Sequence, residues 1–171
     1  MRNKKVLFMV QAAMIAAIYV VLTVFINAFN LASGAIQIRI SEALTVLPFF
    51  TPAAVPGLFL GCLISNLVTG CAPWDVLFGS LATLLGALGS WFIAVRLKHS
   101  ETSRILVTIP PIVANTLIIP FVLAYVYQLE GTIPFFMLTV GAGELISCGI
   151  LGFILLTALH PVAPKIFGME S

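Results

Sequence analysis

Long apolar stretches without charge are the feature that most constrains the fold of this chain. Residues 6–29 contain no charged residue, and only 8% of the 171 residues are charged. A soluble domain carries about 25% charge, so this chain has too little polar surface to cover a globule in water. A helix that crosses a bilayer needs about 20 apolar residues. We therefore expect a single all-α domain, residues 1–171, forming a polytopic membrane protein of about six transmembrane helices.

Proline and glycine separate the predicted segments, as the fixed backbone of proline and the loose backbone of glycine lead one to expect. The six segments are 6–28, 41–51, 54–69, 74–96, 104–127 and 134–159. The second and third are short and meet at Thr51-Pro52, so we expect two tilted helices joined by a tight turn; a single kinked or re-entrant element is the alternative. The first segment exceeds the roughly 7–15 residues of a secretory signal core and is expected to be retained.

The basic residues predict the orientation in the membrane, because loops rich in lysine and arginine stay cytoplasmic. With the N-terminus inside, seven of the eight basic residues fall on the inner side and only Arg39 falls outside. We therefore expect both termini to be cytoplasmic and residues 96–104 to form the main inner loop.

Glu144 is the strongest candidate for a binding residue. It lies ten residues after Pro134, which places it about 15 Å along a helix and near the middle or outer half of the membrane. A charge at the bilayer centre costs at least about 2.5–3.5 kcal/mol, so such residues usually pair or bind something. Gly141 and Gly143 leave room for close approach. The alternative is a structural glutamate that is protonated or paired.

Further polar and aromatic residues gather on the same predicted side of the membrane. They are Gln37, Arg39, Glu42, Asn66, Trp74, Asp75 and Asn115. Each has a structural alternative. The asparagines can join helices by hydrogen bonds, Trp74 can anchor the interface, and Asp75 can sit at a helix N-terminus. Arg39 and Glu42 are three apart and can form a local ion pair. Together the group predicts a pocket open to the outside.

Enzymatic and channel functions are both disfavoured. The histidines, His99 and His160, fall on the predicted inner side, and the sequence holds no HExxH, GxSxG or P-loop motif. The cysteines lack metal-binding spacing, so we expect no metal or other cofactor. A pore favours polar residues along its whole length. Without a nucleotide site, active transport must draw on a partner or an ion gradient, and nothing indicates a nucleic-acid partner.

Small residues on the first segment predict a surface for another helix. Ala12 and Ala16, and likewise Ala13 and Ala17, are four residues apart and therefore share a helix face. Packing against another segment of the same chain is the alternative.

The run "IQIRISEALTVLPFFTPAAVPGLFLGCLISNL" resembles the QueT family, and its most specific part is "QIRISEALTVLP". These proteins are substrate-binding (S) components of energy-coupling factor (ECF) transporters and are associated with queuosine precursors. The resemblance covers essentially the whole chain. It implies a prokaryotic membrane protein that captures a small molecule outside. The protein then docks through Ala12, Ala13, Ala16 and Ala17 on a coupling protein that carries two ATPases.

The resemblance also implies a ligand, a 7-deazaguanine such as 7-aminomethyl-7-deazaguanine. Glu144 is the preferred acceptor for the adjacent N–H donors of its guanine-like edge, since charge-assisted hydrogen bonds are the stronger kind. Asn115, Asn66 or Gln37 can donate to its carbonyl, Trp74 or a phenylalanine can stack on the ring, and Glu42 or Asp75 can face the aminomethyl cation. The alternatives are an S component for another vitamin-like molecule and a purely structural membrane subunit.

Overall fold

The part of the chain that the structure describes is helical throughout. The computed structural model describes residues 3–28, 39–97 and 100–168, and these ranges hold no strand. The elements in chain order are α1 (Lys4–Ala28), a 3₁₀ helix (Ile40–Phe49), α2 (Ala54–Val68), α3 (Pro73–Arg96), α4 (Glu101–Leu106), α5 (Ile109–Tyr125), α6 (Ile133–Glu144), a π-helical segment (Leu145–Leu151), α7 (Gly152–Leu159) and α8 (Ala163–Phe167).

Four helical stretches are long and apolar enough to cross a membrane. They are Lys4–Ala28, Pro73–Arg96, Glu101–Tyr125 and Ile133–Leu159, with mean hydropathy between 1.8 and 2.4. The all-α membrane fold is therefore confirmed. The second and third predicted segments are the two shorter helices, Ile40–Phe49 and Ala54–Val68. Six complete spans and cytoplasmic termini remain predictions.

The 3₁₀ helix is the most deeply buried element of the described chain. Every residue from Ser41 to Phe49 is buried, and the helix packs against α1, α2, α3, α7 and the π-helical segment. Runs of 3₁₀ helix longer than three or four residues are uncommon and often mark functional positions. The second predicted segment is therefore a helix of the tighter kind, placed at the centre of the bundle.

Helices α1 and α2 pack closely through small residues. A Cβ built on Gly57 would lie 2.7 Å from the carbonyl oxygen of Ala12, and one on Gly61 would lie 3.1 Å from that of Ala16. The glycines therefore let the two backbones approach. Ala16 is buried by this contact and Ala12 is half-buried, whereas Ala13 and Ala17 are exposed on the outside of the bundle.

The last predicted segment is interrupted at its centre, at the position of the candidate glutamate. Helix α6 ends at Glu144, seven π-helical residues follow, and α7 continues the span. Gly152 at the start of α7 meets the 3₁₀ helix, because a Cβ there would lie 2.9 Å from Val46 Cγ1. Short π-helical stretches are rare and frequently occur at functional sites.

Candidate functional site

Two carboxyl groups lie inside the bundle where the 3₁₀ helix faces the π-helical segment. Glu42 is 1% exposed and Glu144 is 6% exposed. One carboxyl oxygen from each and the thiol sulfur of Cys148 all lie within 4.8 Å of one another. The sequence prediction that Glu144 and Glu42 share one region is therefore consistent with the structure.

Glu42 offers one occupied and one free carboxyl oxygen. The Tyr19 hydroxyl, from α1, donates a hydrogen bond to Glu42 Oε1. Glu42 Oε2 is buried and has no hydrogen-bond partner within the described ranges. A buried polar group left unpaired costs about 1–3 kcal/mol, so an acceptor in this state is a feature that needs an explanation.

Glu144 is held by the thiol of the residue one turn later. Cys148 Sγ lies 3.1 Å from Glu144 Oε2 and 3.4 Å from the carbonyl oxygen of Glu42, so its single hydrogen can bond to one of the two. Thr45 Oγ1 lies 2.6 Å from that carbonyl and 3.4 Å from the sulfur. Cys148 and Thr45 thus join the element that carries Glu42 to the element that carries Glu144.

Asn115 brings an amide from α5 to the same place. Its side chain is 4% exposed and is a near neighbour of both carboxyl groups. Asn115 Nδ2 is buried and makes no hydrogen bond of acceptable geometry to the described residues. The interior therefore presents an acceptor, Glu42 Oε2, and a donor, Asn115 Nδ2, that lie near each other but form no hydrogen bond of good geometry. We call Glu42, Asn115, Glu144, Cys148 and Tyr19 the central polar cluster.

A second polar group lies at the start of α3. Tyr127 Oη donates to Asp75 Oδ2 over 2.8 Å and accepts from the backbone N–H of Ala72 over 3.2 Å. Tyr127 is 39% exposed, but the partial loss of water around its hydroxyl, together with the Asp75 carboxylate, raises its pKa, so the hydroxyl remains a neutral donor. Asp75 Oδ1 is buried without a partner in the described chain. A Cβ on Gly79 would touch both Asn66 Nδ2, at 3.1 Å, and Asp75 Oδ1, at 3.4 Å.

Arg39 links the two groups electrostatically. It directly precedes the 3₁₀ helix, and its guanidinium is close enough to attract both Asp75 and Glu42. The predicted local pair of Arg39 with Glu42 is thus part of a wider arrangement, in which the Arg39 cation is also near Asp75 and Glu144.

Trp74 does not join either polar group. Its side chain is 59% exposed and stacks on Phe78, with 6.0 Å between ring centroids, in an apolar groove shared with Phe121 and Tyr125. This position suits an anchor at the membrane interface rather than a ring that stacks on a ligand inside the bundle. Gln37 lies outside the described residues.

Sequence reasoning missed Tyr19, Thr45 and Cys148. Tyr19 is 1% exposed in the middle of an apolar helix, and a phenol buried there needs a hydrogen-bond partner. That requirement was the available signal. Cys148 follows Glu144 by four residues and Thr45 follows Glu42 by three, spacings that place side chains on one helix face.

The helical bundle with a polar interior defines a multi-pass membrane protein. Residues 9–161 match the family model described as QueT transporter, and the chain therefore belongs to the QueT transporter family. This confirms the resemblance found in the sequence. The family is described as one of transporters, and the apolar helices fit a multi-pass protein of a prokaryotic cell membrane.

A relative from Lactococcus lactis subsp. cremoris (strain MG1363), the "Queuosine precursor transporter QueT", is 36% identical over 86 residues. The match covers 50% of this chain and 50% of that protein, so the chain spans about half the length of the relative it matches. No solved structure gave a significant match.

Proposed function

We propose that this chain is the substrate-capture subunit of an ECF importer and that it binds a 7-deazaguanine precursor of queuosine in the central polar cluster. The observation that carries the proposal is that the buried acceptor Glu42 Oε2 and the nearby buried donor Asn115 Nδ2 form no hydrogen bond of good geometry with the described residues. A ligand that presents N–H donors next to a carbonyl oxygen satisfies both. The name of the Lactococcus relative supports the choice of ligand class.

The guanine-like edge of a 7-deazaguanine has that arrangement of groups. Its ring N–H and exocyclic NH₂ lie side by side and can donate to one carboxylate, and its carbonyl oxygen can accept from an amide. Hydrogen bonds to an ionised carboxylate are about twice as strong as neutral ones. We propose Glu42 for the paired donors and Asn115 for the carbonyl oxygen.

This proposal reverses the order of the two glutamates that the sequence favoured. Glu144 Oε2 already lies against Cys148 Sγ, whereas Glu42 Oε2 has no partner in the described chain. Glu144 is then the carboxylate available to an aminomethyl cation on the same ligand. We place the second polar group, which contains Asp75 and Asn66, on the ligand's proposed route of entry, together with Arg39.

This sequence has no nucleotide-binding motif, so active transport must draw on a partner or an ion gradient, and we favour a partner. We propose docking on an ECF coupling protein with two ATPase subunits, through the exposed Ala13 and Ala17 on α1. Ala12 and Ala16 were equally good candidates in the sequence, but they face Gly57 and Gly61 of α2. Their place in the proposal is to hold α1 on the bundle.

Ligand binding by the purified chain tests the proposal. The protein is solubilised in detergent and titrated with 7-aminomethyl-7-deazaguanine by calorimetry. Adenine is the control, because it is also a planar base but presents a different pattern of hydrogen-bond donors. Mass spectrometry of co-purified small molecules gives an independent reading. Saturable binding of the deazaguanine, without binding of adenine, is expected. A vitamin of another class in the spectrum, or no binding at all, would contradict the proposal.

A further inference from the structure

Tyr19 is the largest fully buried side chain of the described residues, and its hydroxyl contacts Glu42. The side chain is 1% exposed, and its hydroxyl donates to Glu42 Oε1. One turn further along α1, Thr23 Oγ1 lies 2.8 Å from Ser41 Oγ, next to Glu42 in the chain. Helix α1 therefore holds the start of the 3₁₀ helix at two successive turns.

The position of Tyr19 is fixed by close backbone packing. A Cβ built on Gly61 would lie 2.8 Å from Tyr19 Cβ, so α2 approaches this residue as closely as glycine allows. Cys62, also on α2 and 0% exposed, is another close neighbour of Tyr19 and of Glu42. A side chain confined in this way holds its hydroxyl at one place, which is what a support for a binding group requires.

We propose that Tyr19 is a positioning residue for ligand binding. By occupying Glu42 Oε1 it stops the carboxylate from rotating and presents Oε2 to the ligand. The inference rests on the proposed function, because it assumes that Glu42 accepts a hydrogen bond from the ligand. Tyr19 acts through Glu42, so its hydroxyl matters to affinity only while position 42 is a carboxylate.

Packing alone does not account for a tyrosine here. Phenylalanine would fill the same space, but only tyrosine can donate a hydrogen bond to the buried carboxyl group of Glu42. Without that hydroxyl, both oxygens of Glu42 lack their partner within the described chain, and the carboxylate can turn to any donor nearby. The ligand must then pay the cost of restoring the orientation, which weakens binding without removing any contact to the ligand.

A double-mutant cycle tests the proposal with Tyr19→Phe, Glu42→Gln and the combination, each titrated with 7-aminomethyl-7-deazaguanine. Tyr19→Phe alone should weaken binding by about tenfold, the effect of losing one hydrogen bond to a charged group. In the Glu42→Gln background the same change should alter affinity by less than about twofold. Tyr127→Phe is the matched control, because it also removes a hydroxyl that donates to a carboxylate, in this case Asp75. Its effect on affinity should be additive with that of Glu42→Gln.

A second measurement covers the case in which Tyr19→Phe does not fold. Fluorotyrosine inserted only at position 19 keeps the hydroxyl. At ligand concentrations that saturate both proteins, its ¹⁹F resonance should move when ligand is added to the otherwise unmodified protein and stay unmoved in the Glu42→Gln protein. If the unmodified protein binds the ligand but the mutant cycle is additive, or the fluorine signal does not respond, the proposed role of Tyr19 is overturned while the proposed function stands. Failure of the unmodified protein to bind the deazaguanine overturns this inference together with the proposed function.

Discussion

Glu42 and Glu144 lie on elements from opposite ends of the chain, yet their carboxyl groups meet in the interior with oxygens no more than 4.8 Å apart. Two acids so close in a dry environment repel each other if both are ionised, and the loss of water penalises each charge. Arg39 supplies one nearby cation. A ligand that carries an amine would supply a second cation, so the two carboxyl groups are suited to bind such a ligand.

Glu42→Gln should lower the affinity for 7-aminomethyl-7-deazaguanine by roughly ten- to a few hundred-fold. The change removes the charge and sets an NH₂ donor against the ligand's own donors; a charged hydrogen bond is worth about 1.5–3 kcal/mol, and unpaired groups add to the loss. Calorimetric titration measures the effect. Glu130→Gln, at an exposed carboxylate outside the cluster, is the control and should bind like the unmodified protein. Equal affinity of Glu42→Gln would remove Glu42 from the site.

Glu144→Gln should discriminate between ligands that carry an amine and ligands that do not. If Glu144 faces the aminomethyl cation, the variant loses affinity for 7-aminomethyl-7-deazaguanine by about tenfold or more and loses much less for the uncharged 7-cyano-7-deazaguanine. Glu42→Gln should weaken both ligands, since both share the guanine-like edge. Competition titrations with the two compounds measure the ratio. The same loss for both ligands in Glu144→Gln would assign Glu144 to the shared edge instead.

The two acids could be predicted from the sequence because a charge inside a membrane is costly and therefore rare. Glu144 therefore stood out by its position within the sixth segment, while Glu42 was expected at the outer start of the second. The faces of the helices were harder to read. The buried face of α3 carries small and polar residues such as Gly79, Thr83 and Ser90, whereas large apolar residues such as Leu81, Leu85 and Phe92 are exposed. This spacing was a signal that Asp75 turns inward and Trp74 outward, and the prediction that Trp74 stacks on a ligand overlooked it.

Other features escaped because their signal is not in the residue type. Tyr19 looks like one more apolar residue until its hydroxyl is matched with Glu42. The 3₁₀ helix and the π-helical segment read as ordinary helix, because hydrophobic composition does not distinguish these backbones. Proline and glycine at the segment ends act locally, which is why the boundaries were predicted closely.

The orientation can be tested by labelling single cysteines. With the N-terminus inside, cysteines placed within 97–103 should react with a membrane-impermeant maleimide only in inverted vesicles, and those within 129–133 should react in intact cells. The reason is the seven-to-one distribution of basic residues across the two predicted sides. Replacement of the native Cys71, which is half-buried, keeps the background low. Labelling of 97–103 in intact cells would reverse the orientation and with it the direction from which the cluster is reached.

The two alanine pairs of α1 should respond differently to added bulk. Ala13→Leu and Ala17→Leu place extra methylene groups on the exposed face, so ligand binding and thermal stability should stay near those of the unmodified protein while uptake through the assembled importer is lost. Ala12→Leu and Ala16→Leu push into Gly57 and Gly61, where overpacking costs about 1–3 kcal/mol, so these variants should lose stability first. Thermal unfolding, ligand titration and uptake in cells that contain the coupling proteins separate the two effects. Normal uptake by both Ala13→Leu and Ala17→Leu would show that the coupling protein docks elsewhere.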